Sequence, residues 1–545
     1  MRQEDRIMVL IFRIKHSPTS YIHSLENIAD KIYHNSYILY RLNPVKVIKY
    51  GVNNAFEILN NIGVYVPEEI CKLIENLAQD LIDVYIDYDN ISLVLYTHSI
   101  HVANVLSSKK MLFYDKEKGL WRFAPKDLHK VLDIVVENNY KYKTSFNIDY
   151  NLGLELKLNV SLREYQEEAY KKWRERCRGI VVLPVAAGKT LIALRAIEDL
   201  KIKTLILVPT IDLLYQWREN ISKFFGIPKN NIAIYGGGKR DIGPITVMTY
   251  DSAALNLYKY FNFFGLVVAD ECHHAVSRSY KVALTMITAP YRLGLTATPF
   301  RDDGLHKFYD EVIGPVVYVL EKENLQIKGY LANHREEKIY VELSREELDL
   351  YREYMKIYID FCRKRFPNIK DPRKRFQMVL KLAYKDIEAR EALRAKHRAR
   401  RIALSTDKKI DIVEKLLSTY KGEKILIFSR YTDIIKKISR KFLIPRILHD
   451  TPDDERKKYL DMFRRGEINI LASAMALDEG IDVPDASVAI VVSGTGSYRE
   501  YIQRLGRILR PKNKEALLIE IITKKTIEPS LSRRRRRFEI FNGGS

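Results

Sequence analysis

Short apolar runs alternate with helical patterns along most of the chain. Four runs that are long enough for a buried strand lie at 180–183, 205–208, 266–269 and 293–296. Four more lie at 425–428, 468–472, 488–492 and 516–521. Because the stretches between them carry apolar residues at helical spacing, we expect right-handed βαβ crossovers and two parallel sheets. The predicted fold class is α/β, with two similar halves in tandem.

A segment of different composition separates the two halves. Residues 338–406 have a mostly helical pattern and are strongly basic. Between Arg363 and Arg401 there are fifteen Lys or Arg and four Asp or Glu, a net charge of +11. A charge run is usually one solvated helix face, but repulsion within so one-sided a run needs an anionic partner to offset it. We expect the backbone of a nucleic acid to be that partner.

The first 155 residues are predicted to form an α+β accessory domain. Pro67–Ile82 has the pattern of an amphipathic helix that begins at a proline, and Met111–Phe123 that of a β-hairpin around a charged loop. The chain ends in a tail with five arginines at 533–537, either a disordered nucleic-acid-binding end or a localisation signal. The predicted domains are 1–155 (accessory), 156–335 (first α/β half), 338–406 (helical insert), 407–530 (second α/β half) and 531–545 (basic tail).

The overall charge narrows the class of partner. The 545 residues carry a formal charge of +22 and an isoelectric point near 9.4, which favours nucleic acid and, second, an anionic membrane surface. No apolar segment is long enough to span a bilayer and no signal-peptide pattern begins the chain, so a soluble intracellular protein without a membrane partner is expected. The four cysteines form no CxxC pair, which indicates neither a zinc ribbon nor a four-cysteine iron–sulfur cluster.

Residues 179–194 have the order of a phosphate-binding loop. An apolar run ends at Leu183, small residues follow, and a helical pattern starts at Thr190. Backbone N–H groups and a helix N-terminus would then surround one point, which suits a polyphosphate. Lys189 would reach the β- and γ-phosphates of ATP, and the Thr190 hydroxyl would bind Mg²⁺. Leu183 stands where GxxxxGK[ST] has its first Gly, so an ordinary strand–helix turn is the alternative.

Two further groups would complete a nucleotide site. Asp270 and Glu271 end a buried strand, where the Asp can help hold Mg²⁺ through water and the Glu can orient and deprotonate the attacking water. Near the C-terminus, Arg507 and Arg510 share one helix face, and their guanidinium groups suit the charge on a transferring γ-phosphoryl. The structural alternatives are an acidic turn and a basic surface helix.

Five motifs, in this order and separation, resemble those of superfamily 2 helicases: LPVAAGKT (183–190), DECHH (270–274), GLTATP (294–299), DEGIDVP (478–484) and QRLGRILR (503–510). More narrowly, REYQ (163–166), the Leu-Pro before the loop, DECHH and TATPFRDDG (296–304) are similar to XPB (xeroderma pigmentosum B) helicases, especially archaeal ones. The resemblance covers residues 160–525 and implies two RecA-like domains. The basic insert lies where that family has a DNA-gripping thumb. Residues 111–150 have only a weak similarity to the family's damage-recognition domain.

The resemblance also implies roles for single residues. Arg163 and Gln166 would contact adenine, Gly480 and Asp482 would sense the nucleotide from the second half, and Thr296 and Thr298 would couple the site to motion. The implied ATP-site residues are Arg163, Gln166, Val185, Ala186, Ala187, Gly188, Lys189, Thr190, Asp270, Glu271, Gly480, Asp482, Gln503, Arg507 and Arg510. The implied DNA contacts are Arg301, Asp302, Asp303, Arg363, Lys364, Arg365, Arg373, Lys374 and Arg375.

Three positions depart from the family pattern. Residues 301–303 are RDD where the family has RED, so the strand-separating role of that triplet is in doubt here. Ala186 replaces a usual Gly, which narrows the freedom of the loop backbone. Ser473 stands where Thr is common, and its hydroxyl is kept.

The resulting hypothesis is an ATP- and Mg²⁺-dependent helicase or translocase on double-stranded or forked DNA, in repair or transcription. Its protein partners would be repair or transcription factors or a nuclease, and its location would be cytoplasmic or nucleoid-associated, in an archaeal cell. The alternatives are the motor subunit of a restriction or defence nuclease complex, an RNA helicase, and a nucleotide-switched DNA-binding scaffold.

Overall fold

The structure, a computed structural model, describes residues 10–13, 19–34, 37–115, 120–184, 187–301, 303–320, 334–474, 486–494 and 516–533. The chain divides into two compact units. The first comprises Met1–Val182 and Thr190–Val319, and the second Leu183–Lys189 and Leu320–Ser545. Within the described residues, no helix is both long and apolar enough to cross a membrane.

The first unit begins with two small sheets and their helices. A three-stranded antiparallel sheet has the order β1-β3-β2, and a five-stranded sheet has the order β6-β7-β5-β4-β8. The strands are β1 (Ile11–Arg13), β2 (Ala29–His34), β3 (Tyr37–Leu42), β4 (Val84–Tyr88), β5 (Leu93–Thr97), β6 (Phe113–Asp115), β7 (Leu120–Phe123) and β8 (Tyr142–Thr144). The helices are α1 (Thr19–Glu26), α2 (Pro44–Tyr50), α3 (Val52–Asn61), α4 (Glu68–Gln79), α5 (Ile100–Ser108) and α6 (Leu128–Glu137). The helix predicted from Pro67 and the predicted hairpin are confirmed as α4 and as β6 with β7.

The rest of the first unit is an eight-stranded sheet of order β12-β11-β13-β10-β14-β15-β9-β16, parallel except for β12. Its strands are β9 (Arg178–Val182), β10 (Thr204–Val208), β11 (Ala233–Gly236), β12 (Lys239–Arg240), β13 (Ile245–Thr249), β14 (Leu266–Asp270), β15 (Tyr291–Thr296) and β16 (Val316–Val319). Its helices are α7 (Glu164–Arg176), α8 (Lys189–Leu200), α9 (Ile211–Phe225), α10 (Tyr250–Asn256), α11 (Arg278–Thr285) and α12 (Tyr309–Val312). The five-stranded sheet is joined to this part by a stacked pair, since the rings of Tyr88 and Phe261 lie 3.6 Å apart.

The second unit contains a six-stranded parallel sheet of order β17-β22-β21-β18-β20-β19. Its strands are β17 (His334–Val341), β18 (Ile425–Ser429), β19 (Arg446–Ile447), β20 (Ile470–Ala474), β21 (Val488–Ser493) and β22 (Ala516–Thr523). Its helices are α13 (Arg345–Arg365), α14 (Pro372–Leu382), α15 (Ile387–Ser405), α16 (Lys408–Thr419), α17 (Thr432–Phe442) and α18 (Asp453–Arg465).

Helices α13, α14 and α15 form the basic segment, and we refer to them as the helical insert. Helix α13 begins with a capping box, in which the Ser344 hydroxyl accepts from the Glu347 N–H and the Glu347 carboxylate accepts from the Ser344 N–H. Strand β17 pairs with β22 over its whole length. Part of the range 338–406 therefore belongs to the sheet of the second unit.

All eight predicted strands are present, each within two residues of its predicted ends. Strands β10, β14 and β18 are buried along their whole length, as parallel strands covered on both faces must be. The predicted α/β fold with two parallel sheets is confirmed.

Candidate active site

The predicted phosphate-binding loop connects β9 to α8. Gly188 has φ 74°, a left-handed conformation that glycine adopts without steric cost, and Lys189 and Thr190 begin the helix. The Leu183 side chain is fully buried, and its carbonyl accepts a hydrogen bond from Lys189 Nζ at 3.4 Å. Leu183, which stands in place of the usual first Gly, thus continues the buried apolar run of β9.

The acidic pair lies at the same sheet edge as the end of β9. Asp270 is the last residue of β14 and pairs with Leu295 of β15, and the next residue, Thr296, pairs with Val182 of β9. Because parallel strands end at a common edge, the three strand ends lie side by side in the order β14-β15-β9. Glu271 has φ 44°, and a non-glycine residue in this region costs on the order of 1 kcal/mol and is typical of functional sites.

Hydrogen bonds from neighbouring residues hold Asp270. The indole N–H of Trp217 donates to Asp270 Oδ2 at 2.8 Å, and the Glu271 backbone N–H donates to Oδ1 at 2.9 Å. The Tyr250 hydroxyl donates to the Asp270 carbonyl at 2.9 Å. Sequence reasoning missed Trp217 and Tyr250, although Trp217 lies on the apolar stripe of α9, three residues after Leu214.

A polar chain connects the acidic turn to the TATP segment. The buried His273 places Nδ1 3.3 Å from Thr296 Oγ1 and 3.4 Å from Glu271 Oε2. Thr296 Oγ1 in turn accepts from the Thr298 N–H at 3.0 Å. Among the described residues there is no group of three or more His, Cys, Asp or Glu that could hold a metal ion.

Arg163 and Gln166 begin α7. The Arg163 backbone N–H donates to Gln166 Oε1 at 2.9 Å, and the Arg163 guanidinium donates to the Tyr165 hydroxyl at 3.4 Å. The Gln166 side chain is 1% exposed. In this structure the Gln166 side-chain oxygen therefore caps the helix.

Several predicted site residues lie outside the described residues: Val185, Ala186, Asp302, Gly480, Asp482, Gln503, Arg507 and Arg510. Strand β20, which leads toward the DEGIDVP motif, is described and contains Ser473, fully buried beside Phe428 of β18.

The six basic residues of the helical insert that are predicted to contact DNA differ in their surroundings. Arg363 lies 3.9 Å from Asp360, Lys364 lies 3.2 Å from Glu388, and Arg365 lies 2.8 Å from Asp386. Arg375 donates to the Ile369 carbonyl, and the Arg373 side chain is outside what the structure describes. Lys374 is exposed.

Five exposed cations between residues 363 and 401, Lys374 among them, share one feature. None of these five side chains forms a hydrogen bond, ion pair or cation–π contact with another described residue. We refer to these five as the free cations: Lys370, Lys374, Lys381, Lys385 and Arg394.

Two family models match the chain. One described as "Type III restriction enzyme, res subunit" matches residues 159–301, and one described as "Helicase conserved C-terminal domain" matches residues 408–512. These ranges include the phosphate loop with the acidic pair and the QRLGRILR motif, respectively.

Three curated proteins are similar to the chain. The DNA 3'-5' translocase XPB2 of Sulfurisphaera tokodaii is 46% identical over 70% of this chain and 86% of its own length. The DNA 3'-5' helicase XPB of Kineococcus radiotolerans is 31% identical over 69% of this chain and 62% of its own length. The general transcription and DNA repair factor IIH helicase/translocase subunit XPB of Enterocytozoon bieneusi is 28% identical over 76% of this chain and 67% of its own length. The chain therefore belongs to the XPB family of superfamily 2 helicases.

Proposed function

We propose that the protein is an ATP-driven motor that acts on duplex DNA. The observation that carries the proposal is the sheet edge at which Asp270, Glu271 and Thr296 lie side by side with the end of β9. A phosphate loop that begins at this edge can hold ATP next to a carboxylate that activates water. The relatives named as a DNA translocase and DNA helicases support DNA as the substrate.

The donor set fits Mg²⁺ together with the phosphates of ATP. The Thr190 hydroxyl and the Asp270 carboxylate offer oxygen atoms, the ligands that Mg²⁺ prefers, and Mg²⁺ usually keeps several waters and substrate oxygens. A site with few protein ligands is therefore expected, and Thr190 and Asp270 would be enough. When bound, the ion offsets the negative charge on the phosphates.

The chain's own residues would carry out the reaction. Lys189 would leave the Leu183 carbonyl and donate to the β- and γ-phosphates, while Glu271 would orient the attacking water and accept its proton. Arg507 and Arg510 would donate to the transferring γ-phosphoryl, Gln503 would help to order them, and Gly480 and Asp482 would respond to the nucleotide. Opening and closing between the two halves would then drive movement.

The helical insert would grip the DNA backbone as a thumb. The proposed domains are those predicted from the sequence, 1–155, 156–335, 338–406, 407–530 and 531–545, except that residues 338–341 belong to strand β17. The five free cations are the insert residues best placed to contact phosphates, because each has no competing anionic partner among the described residues. Binding through phosphates carries little sequence information and weakens steeply with salt.

The name of the Enterocytozoon bieneusi relative, which places it in a transcription and repair factor, supports a role in DNA repair or transcription. A motor subunit of a restriction-type complex is the alternative that the match to a restriction-enzyme family over 159–301 favours. Recovery of a nuclease with the purified protein would support that alternative.

Steady-state ATP hydrolysis tests the proposal. We expect hydrolysis to rise several-fold with duplex DNA, to rise less with duplex RNA, and to require Mg²⁺. Equal stimulation by RNA would favour an RNA helicase, and a burst without steady turnover would favour a nucleotide-switched scaffold. Hydrolysis that DNA does not change would contradict a DNA motor.

A further inference from the structure

We propose that Trp217 is a positioning residue that orients the Asp270 carboxylate for Mg²⁺-nucleotide. The inference rests on the proposed function, because it concerns the metal that accompanies ATP. Trp217 is 2% exposed, and its indole N–H lies 2.8 Å from Asp270 Oδ2. It would act only through Asp270, with no contact to nucleotide or metal.

The fold brings this side chain to the sheet edge. Strand β10 is the neighbour of β14, with Leu207 beside Ala269, so the helix after β10 begins next to the acidic turn. Helix α9 is capped by Thr210, whose hydroxyl accepts from the Leu213 N–H at 3.3 Å. Its buried residues are Leu214, Trp217, Ile221 and Phe225. The apolar face of α9 therefore fixes the position of the indole.

Two donors hold the two carboxylate oxygens in place. Trp217 binds Oδ2, and the Glu271 N–H binds Oδ1. The terminal torsion of an Asp side chain is otherwise broad and roughly two-fold, so these two bonds restrict its orientation. Each carboxylate oxygen can accept more than one hydrogen bond, and the oxygens thus remain able to face a metal-bound water.

An indole is well suited to this position. Its N–H only donates, so it cannot compete for the metal as a ligand, and it has no charge that would offset the carboxylate. A Lys or Arg at this place would neutralise Asp270 and weaken its attraction for a cation. Partners that orient a metal ligand in this way are typically worth about 10- to 100-fold in metal affinity or activity.

Trp173 provides a matched control. It is fully buried in the same unit, and its indole N–H donates to the Arg292 carbonyl at 2.9 Å. Trp217→Phe and Trp173→Phe therefore each remove one buried indole hydrogen bond and keep an aromatic ring. Only the first change affects a carboxylate of the site.

The test measures equilibrium binding of a fluorescent ADP analogue, without turnover, as Mg²⁺ is titrated and again in EDTA. We expect Trp217→Phe to raise the Mg²⁺ concentration at the midpoint of the titration by about tenfold or more. In EDTA, this variant should bind the ADP analogue with wild-type affinity. Trp173→Phe should keep the wild-type midpoint. In an Asp270→Asn background, Trp217→Phe should add no further shift. A Trp217→Phe midpoint equal to that of Trp173→Phe, or an equal loss of affinity in EDTA, would overturn the inference.

A second measurement needs no change at Trp217. The chain has three tryptophans, so protein labelled with 5-fluorotryptophan gives three ¹⁹F signals that Trp121→Phe and Trp173→Phe assign. Adding Mg²⁺ to the ADP complex should shift the Trp217 signal and leave the Trp173 signal in place, and an unmoved Trp217 signal would contradict the inference. If the wild-type protein does not bind the ADP analogue at all, the proposed function fails and the role of Trp217 is not the cause.

Discussion

Arg301 and Asp303 form a two-point ion pair, with Nε 3.0 Å from Oδ1 and Nη2 2.7 Å from Oδ2. The hydrogen bonds from Arg301 are the largest cause that lowers the pKa of Asp303 to about 2. The third nitrogen, Nη1, donates to the His273 carbonyl. The first and last residues of the RDD triplet thus tie the loop after TATP to the turn after the acidic pair.

We predict that Asp303→Asn slows the unwinding of forked DNA more than it slows ATP hydrolysis. The change removes the charge from the pair, so Arg301 is held mainly by the His273 carbonyl. Because Asp303 is 47% exposed, solvent screening limits the loss to about 1 kcal/mol, which is about a fivefold change in rate. Asp310→Asn is the control, since Asp310 is an exposed acid of α12. Equal unwinding rates for the two variants would show that the RDD triplet has no role in strand separation.

The free cations and the ion-paired basic residues 363–365 allow a charge-matched comparison. We predict that replacing Lys374, Lys381 and Lys385 with Gln makes DNA affinity less dependent on salt. The slope of log affinity against log salt concentration should fall in magnitude by about 2 to 3, since each lost phosphate contact contributes about 0.9. Replacing residues 363, 364 and 365 with Gln removes the same charge but should change the slope less, because acids already pair with them. Binding measured from low to moderate salt tests this, and equal slopes for both triple variants would refute it.

Because His129 is partly buried and neutral, we predict that the free energy of unfolding falls in acid. Burial and then the guanidinium of Arg178, whose Nη1 is 3.1 Å from His129 Nε2, lower the pKa of His129 to about 3. The contribution of the neutral His129 to the free energy of unfolding is fully present above the ordinary histidine pKa of about 6.5. Between about pH 6.5 and 3 the unfolded chain binds one proton more, so unfolding becomes easier by about 1.4 kcal/mol per pH unit.

The replacement His129→Gln should remove that one-proton slope, since Gln stays neutral and can still accept from Arg178. Urea unfolding at several pH values, followed by tryptophan fluorescence, measures it because Trp121, Trp173 and Trp217 all lie in the first unit. His101→Gln is the control, because His101 is exposed. If both variants kept the wild-type dependence of the unfolding free energy on pH, His129 would not be the group that binds the additional proton.

The sequence predicted the parts of the fold that repeat a simple pattern. All eight apolar runs became strands because a parallel strand buried on both faces needs such a run. Strand β13 was missed although it is fully buried, since its run of Ile245–Thr249 includes two Thr and lies between turn residues. The antiparallel sheet of β1 to β3 was missed because buried and exposed residues do not alternate cleanly in the described parts of β2 and β3.

Candidate site residues were predictable only where their order in the sequence is unusual. Lys189, Asp270 and Glu271 lie at or after the ends of buried strands and were proposed in that way. Trp217 could not, because an apolar helix stripe does not show which member donates a hydrogen bond to a strand 53 residues away. Likewise, the charge run around Lys374 does not show which basic residues are already paired.

We propose that ATP hydrolysis at Lys189 and Glu271 moves the protein along duplex DNA. Displacement of a third strand from a triplex tests it most directly, because it reports movement without strand opening. We predict displacement by the wild-type protein with ATP and Mg²⁺ and none by Lys189→Ala, which should still bind DNA, while Lys201→Ala, a change just after α8, should behave as wild type. Displacement by Lys189→Ala, or none by wild-type protein that hydrolyses ATP on the same DNA, would contradict the account.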